Sequence, residues 1–184
     1  MDKIQYLNLD ILSLEEFKLI WENKPTFRHE ICMFGKMVKV PRIQVLYGTG
    51  SYKFSGSVLK AEDVEIPEYV QNCIEYVKKL EPDFVWNGAL VNFYEDGDNY
   101  IGPHCDDERD LVDSSGIYSF SFGGERIFRI RNKIDKKIIK DFTTYDNSVI
   151  KMSDGFQQKY LHEIVKTKKS VNHRINVTIR SFVT

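Results

Sequence analysis

His104-Cys105-Asp106 carries the clearest chemical potential in the chain, because an imidazole and a carboxylate two positions apart on an extended backbone project to the same face. His162, in Tyr160-Leu161-His162-Glu163-Ile164, is the distant imidazole that would close a metal site around them. Two histidines and one carboxylate on one side of a metal leave the opposite positions open, an arrangement that lets Fe(II) hold both a chelating cosubstrate and O2. His-x-Asp with a later histidine arises readily by chance in a chain with four histidines, so the assignment needs an independent feature.

That feature is His173-Arg174-Ile175-Asn176-Val177-Thr178-Ile179-Arg180. Alternation along a strand puts Arg174, Asn176, Thr178 and Arg180 on one face and the three aliphatic residues on the other. A solvated sheet face would show the same pattern. If the polar face points into a sandwich instead, buried arginines need anionic partners. The two guanidinium groups start about 20 Å apart at about 3.3 Å per residue, so side chains leaning inward reach opposite ends of one small dicarboxylate. Asn92 and Tyr94 share a face on an earlier strand and would complete a polar lining.

Taken in order, Asn92-x-Tyr94, His104-x-Asp106, Ser119-x-Ser121-x-Gly123, Arg126-x-Phe128, His162 and Arg174-x-Asn176-x-Thr178-x-Arg180 resemble the AlkB family of Fe(II)- and 2-oxoglutarate-dependent dioxygenases, closest to its double-stranded DNA repair branch. The resemblance runs from about Phe34 to Arg180. It implies that His104, Asp106 and His162 ligate iron, that Arg174 pairs with the far carboxylate of 2-oxoglutarate and Arg180 with the carboxylate beside the keto group, and that Asn92, Tyr94 and Asn176 assist. The implied reaction uses O2 to hydroxylate a methyl group on a base nitrogen, releasing succinate, CO2 and formaldehyde. The iron and cosubstrate would supply the difficult chemistry, and the protein would position and shield it.

The same resemblance makes residues 30–58 a nucleotide-recognition lid. Chemistry on a base inside a duplex requires flipping it out and stacking it on rings. Phe54 and His104 would stack the flipped alkylated base, and Tyr52 and Glu108 would bond its edge. Ser55 lies in the same recognition segment, Arg42 would pair with Asp107 to hold the lid, and Phe34 would wedge into the duplex. Lys133, Lys136, Lys137 and Lys166-Thr167-Lys168-Lys169 are candidate phosphate contacts. The chain departs from the family pattern at Asn147 (often Gly), Tyr160 (often Trp) and Val165 (often Pro). An RNA demethylase with the same core, or a catalytically silent jelly-roll binding module, would share much of this pattern.

The elements that must position these residues read as follows. Ser13-Leu14-Glu15-Glu16 is a capping box ahead of Phe17, Ile20 and Trp21, predicting a helix over 14–22. A second helix starts with Pro67 at its first helical position, carries Val70, Ile74 and Val77 as its apolar stripe, and stops at Pro82. Short strands at 31–34, 40–47 and 52–54 lie between the helices. From residue 84 period-two patterning predicts strands at about 84–94, 117–122, 126–132, 137–142, 147–152 and 173–183. The fold expected is α+β and mostly β: a double-stranded β-helix (jelly roll) with helices and the lid in the N-terminal half. One domain is expected over 1–184, divided into helices and lid at 1–83 and a catalytic core at 84–184.

The net charge of −1 conceals an asymmetry. Residues 126–184 hold 14 Lys+Arg against 5 Asp+Glu, a net +9, whereas residues 1–125 carry −10. Such polarity suits a nucleic-acid partner and also suits an ordinary solvated surface. Three cysteines without CxxC spacing give neither a disulfide framework nor a thiolate zinc site. With no apolar run of spanning length and no basic-then-apolar start, the expected address is intracellular, cytoplasmic or nuclear, away from membranes. Nothing in the pattern indicates an oligomer.

Overall fold

The computed structural model describes residues 4–33, 35–54, 57–61, 64–112 and 114–183. In chain order the elements are β1 (Ile4–Asn8), α1 (Leu14–Glu22), β2 (Glu30–Met33), β3 (Lys36–Lys39), β4 (Ile43–Gly48), β5 (Ser51–Phe54), β6 (Ser57–Lys60), α2 (Glu68–Leu80) and β7 (Gly88–Tyr94). They continue with β8 (Ile101–His104), β9 (Ile117–Gly123), β10 (Arg126–Asn132), β11 (Ile138–Thr144), β12 (Ser148–Met152), α3 (Phe156–Lys159), β13 (Tyr160–Ile164) and β14 (Arg174–Arg180).

A six-stranded sheet in the order β1-β12-β9-β14-β7-β4 faces a four-stranded sheet in the order β11-β10-β13-β8, and every pairing in both is antiparallel. This is the expected jelly-roll core. Two hairpins, β2-β3 and β5-β6, form separate two-stranded sheets in the segment expected to be the lid.

Alternation decides which residues meet. In the larger sheet Ala89, Val91 and Phe93 of β7, Tyr118, Phe120 and Phe122 of β9, and Ile175, Val177 and Ile179 of β14 turn to the helical side. There they pack with Tyr69, Val70, Cys73, Ile74 and Val77 of α2. Each large apolar side chain so buried contributes about 1.5–3 kcal/mol. The opposite face of the same strands presents Asn92, Tyr94, Ser119, Asn176, Thr178 and Arg180 to the gap between the sheets. A one-residue slip would exchange the two sets, so the apolar face fixes the aim of the polar one.

The capping box at α1 forms as expected, with the Ser13 N–H donating to Glu16 Oε2 at 2.8 Å and the Glu16 N–H donating to Ser13 Oγ at 3.3 Å. Phe17, Ile20 and Trp21 rest on the core only half-buried. Pro67 is the N-cap of α2 rather than its first helical residue: its ψ of 147° is extended, and its carbonyl accepts from Val70 and Gln71. The strand expected from 84 begins at Gly88, and the strand expected to run to 183 ends at Arg180.

Five strands and one helical turn were not expected: β1, β3, β6, β8, β13 and α3. β8 reads Ile-Gly-Pro-His, with two residue types that strands avoid, and β13 is buried on both faces and so lacks alternation. Among the described residues no helix is long and apolar enough to cross a membrane.

Candidate metal and cosubstrate site

β8 and β13 are neighbours in the smaller sheet, and their register sets His104 directly opposite His162. The two rings lie 4.2 Å apart, centroid to centroid. Asp106 follows β8 by two residues and turns back between them, with Oδ1 3.5 Å from His104 Nε2 and Oδ2 3.9 Å from His162 Nε2. One ligand atom from each of the three lies within 4.8 Å of the others.

Each group is held ready to donate. His104 Nδ1 lies 2.9 Å from the Gly102 carbonyl, an acceptor that selects the tautomer with a free lone pair on Nε2. His162 is buried and stacks on Phe128 at 5.3 Å. Burial, helped by the neighbouring His104 and opposed by Asp106, pushes its imidazole down to about 3, so the ring is neutral and its lone pair is available near neutral pH. Burial alone would push the Asp106 carboxyl up. The Arg180 guanidinium and the two imidazoles outweigh it and hold the carboxyl well below the usual range. Asp106 Oδ1 is buried and accepts no hydrogen bond among the described residues. A pair of imidazoles and an ionised carboxylate with an oxygen to spare fit a divalent first-row metal such as Fe(II).

The larger sheet supplies the opposite wall of a narrow cavity in which Asn92, Tyr94, Asn176 and Arg180 join the three ligand residues. Arg42 Nε and Gln44 Nε2 both donate to Asn92 Oδ1, at 2.9 and 3.1 Å, so the oxygen of this amide is committed to β4 and its NH2 group is the one left to offer. Asn176 uses its NH2 inside the sheet, donating to Ser119 Oγ at 2.9 Å and to the Phe120 carbonyl at 2.6 Å. Arg180 Nη2 donates to Asp106 Oδ2 at 2.9 Å.

Arg174 is 1% exposed and sits one layer back, its guanidinium 5.0 Å from the Tyr94 ring centroid. Nη2 donates to Ser121 Oγ at 2.8 Å, while Nε and Nη1 meet no acceptor among the described residues. Burial, and to a smaller degree the nearby Arg126, pushes the guanidinium down to about 10 against the pull of Tyr94. A buried cation with donors unused and, among the described residues, no carboxylate beside it is an incomplete anion site. A dicarboxylate cosubstrate such as 2-oxoglutarate fits that deficit.

The lid side departs from expectation. Arg42 does not latch onto Asp107: it is 4% exposed, and besides Asn92 it donates from Nη1 to the Tyr100 carbonyl at 3.1 Å. Asp107 points outward and meets Lys133 Nζ at 3.4 Å and the Cys105 thiol at 3.1 Å. The neutral oxygens of the Asn92 side chain and the Tyr100 backbone occupy Arg42, and among the described residues no carboxylate reaches it. Lys133 also turns inward, donating to the Gln157 carbonyl at 3.0 Å, whereas Lys166 stays at the surface in an exposed pair with Asp98 at 3.0 Å. Glu108 lines a cavity of about 370 Å³ that adjoins Asp106, and its buried Oε2 has no partner among the described residues. Phe34 and Ser55 lie outside the described residues. The backbones of Tyr52 and Phe54 lie in β5, and their side chains are likewise outside.

Two residues that pattern reading passed over as site residues also matter here. Arg126, noted only as part of a motif, is 3% exposed and donates to the carbonyls of Asp96, Asn99 and Val165, tying the turn before β8 to the end of β13. Gln157 Oε1 accepts the Asp106 N–H at 3.0 Å. Neither contact leaves a periodic signal, because each joins segments far apart in the chain.

Comparison with known proteins agrees with this geometry. The family model described as the 2OG-Fe(II) oxygenase superfamily matches residues 11–180. "DNA oxidative demethylase ALKBH2" of Bos taurus is 33% identical over 82% of this chain and 56% of its own length. The protein of the same name from Mus musculus is 33% identical over 84% of this chain and 67% of its own length. "Alpha-ketoglutarate-dependent dioxygenase alkB homolog 3" of Rattus norvegicus is 26% identical over 77% of this chain and 50% of its own length. The chain thus spans about half to two thirds of these relatives. A solved structure described as "The structure of OsALKBH1" superposes with a TM-score of 0.60 at 17% identity, covering 97% of this chain and 98% of that one, a likeness of fold. The chain belongs to the 2OG-Fe(II) oxygenase superfamily and, within it, to the AlkB family.

Proposed function

We propose that the protein is an Fe(II)- and 2-oxoglutarate-dependent oxidative demethylase of N-alkylated bases such as 1-methyladenine and 3-methylcytosine, acting on DNA. The observation that carries the reading is the convergence of a His104–Asp106–His162 donor set with a buried guanidinium, Arg174, that has no carboxylate beside it among the described residues. Iron bound by the three ligands and 2-oxoglutarate held between them and the arginines supply the oxidation when present. Arg174 takes the far carboxylate, Arg180 the near one, and Asn92, Tyr94 and Asn176 shape the space between. The names of the ALKBH2 relatives support DNA as the substrate.

On the substrate side a flipped base stacks between Phe54 and His104, with Tyr52 and Glu108 at its edge. The unpartnered Glu108 oxygen supports that role. Ser55 and Arg42 shape the lid, Asp107 stands at its rim, and Phe34 fills the gap left in the duplex. This chemistry belongs in a compartment that holds DNA. The test is succinate and formaldehyde release over methylated duplex DNA, single-stranded DNA and RNA. Turnover of DNA that depends on Fe(II) and 2-oxoglutarate is expected, with Phe34→Ala impairing duplexes more than single strands. Turnover of RNA alone would make it an RNA demethylase, and none with any methylated oligonucleotide would leave a silent binding module.

A further inference from the structure

Asp106 is the one member of the triad outside a strand: His104 ends β8 and His162 sits within β13, whereas Asp106 lies in the irregular segment that follows β8. Its carboxylate is held by Arg180, but a loop residue also needs its backbone fixed if the two oxygens are to meet both imidazoles. The contact that does so comes from Gln157, 51 residues away, whose Oε1 accepts the Asp106 N–H at 3.0 Å.

Gln157 is itself well anchored. It lies on the single turn α3, whose Phe156 is 1% exposed and packs against Tyr160 and His162. Its Nε2 meets Met152 Sδ at 3.6 Å, which turns the amide oxygen toward Asp106. Lys133 Nζ donates to the Gln157 carbonyl at 3.0 Å and reaches Asp107 at 3.4 Å, and the Lys133 N–H donates to the Lys159 carbonyl at 2.9 Å. Since α3 runs directly into β13, Gln157 and His162 belong to one continuous stretch.

We infer that Gln157 is a positioning residue for the metal centre, its amide oxygen setting the Asp106 backbone at a fixed place relative to His162. The inference rests on the reading of His104, Asp106 and His162 as metal ligands. Groups that orient a ligand without touching the metal are worth about 10–100-fold in metal affinity. Glutamate at this position keeps an acceptor oxygen but adds a negative charge that itself favours a cation, so Gln157→Met, which keeps the length and packing without the acceptor, is the variant that separates acceptance from packing.

The test is titration of the metal-free protein with Co(II), followed by visible absorption and calorimetry, alongside urea unfolding without metal. Gln157→Ala and Gln157→Met are both expected to weaken Co(II) binding by about 10–100-fold with little change in the metal-free urea midpoint. Wild-type affinity in Gln157→Ala would overturn the positioning role while leaving the ligand reading intact. So would a joint fall in affinity and metal-free stability in Gln157→Ala that Gln157→Met restores, since that marks a packing residue. Asp106→Ala is expected to abolish the Co(II) spectrum. An unchanged spectrum there would bring down the ligand reading itself, and the inference with it.

Discussion

Arg180 Nη2 donates to Asp106 Oδ2 at 2.9 Å in a pair whose side chains are 2% and 1% exposed. The carboxylate that would carry part of the iron is thus already neutralised by the arginine that would face the cosubstrate, an arginine fixed by β14 of the larger sheet. Removing one partner of a buried pair leaves the other charge uncompensated, at a cost of about 3–5 kcal/mol. Arg180→Met is therefore expected to lower unfolding free energy by that order in urea titration. The double variant Arg180→Met, Asp106→Leu should recover most of the loss, since a well-packed apolar pair often equals a buried ion pair. Additive losses would mean the two side chains are not coupled.

Arg174 should behave in the opposite sense. Its guanidinium is buried with Nε and Nη1 unaccepted, so in the absence of an anion it contributes desolvation cost without a full return. Arg174→Met is expected to leave the metal-free protein as stable as wild type or more so. It should also abolish the thermal stabilisation that 2-oxoglutarate gives wild type, about 2.7 kcal/mol at a hundredfold excess over Kd. A variant that unfolds earlier yet still gains stability from 2-oxoglutarate would remove Arg174 from the cosubstrate site.

The polar stripe of β14 was legible because alternation is a local property, and Ile175, Val177 and Ile179 had to face the helices. The capping box of α1 was legible for the same reason. What escaped was the set of strands carrying the histidines: β8 contains Gly102 and Pro103, and β13 is buried on both faces, so neither shows period two. The partners of Arg42 escaped too. Sequence offered a carboxylate at Asp107, whereas the fold offers the Asn92 amide and the Tyr100 carbonyl. Pairings of this kind are settled by register across strands, which no single stretch encodes.

Asn147, where the resemblance leads us to expect glycine, has a φ of +48° and uses its side chain as a staple. Oδ1 accepts from Ile11 and Leu12, both at 2.9 Å, and Nδ2 donates to the Leu12 carbonyl at 2.8 Å, which seats the segment leading into α1. Glycine would accept the turn and lose the staple, so Asn147→Gly should cost about 1–3 kcal/mol. Alanine loses the staple and adds left-handed strain of about 1–2 kcal/mol. The expected order of urea midpoints is wild type, then Gly, then Ala; a glycine variant equal to wild type would show that the three bonds contribute nothing net. Val165 is a parallel case, since its N–H donates to the Ile127 carbonyl at 3.0 Å, a bond proline lacks.

Gly123 closes the Ser-x-Ser-x-Gly run and stands opposite Arg174 in the β9–β14 register. Its φ is +81°, and a Cβ there would lie 2.5 Å from the His173 carbonyl oxygen and 2.6 Å from the Phe17 ring. Two separate costs therefore act on any side chain: left-handed strain, which asparagine tolerates, and a clash with backbone, which it does not. If strain dominated, Gly123→Asn would be better tolerated than Gly123→Ala. The contact to a strand carbonyl that cannot swing away makes the clash dominant, at about 1–3 kcal/mol for overpacking, so both variants should fall in stability by similar amounts. Because the displaced backbone precedes Arg174, both should also weaken 2-oxoglutarate binding measured by calorimetry, even where the protein remains folded. A Gly123→Asn variant with wild-type stability and affinity would show that glycine is present here for its dihedral angle alone.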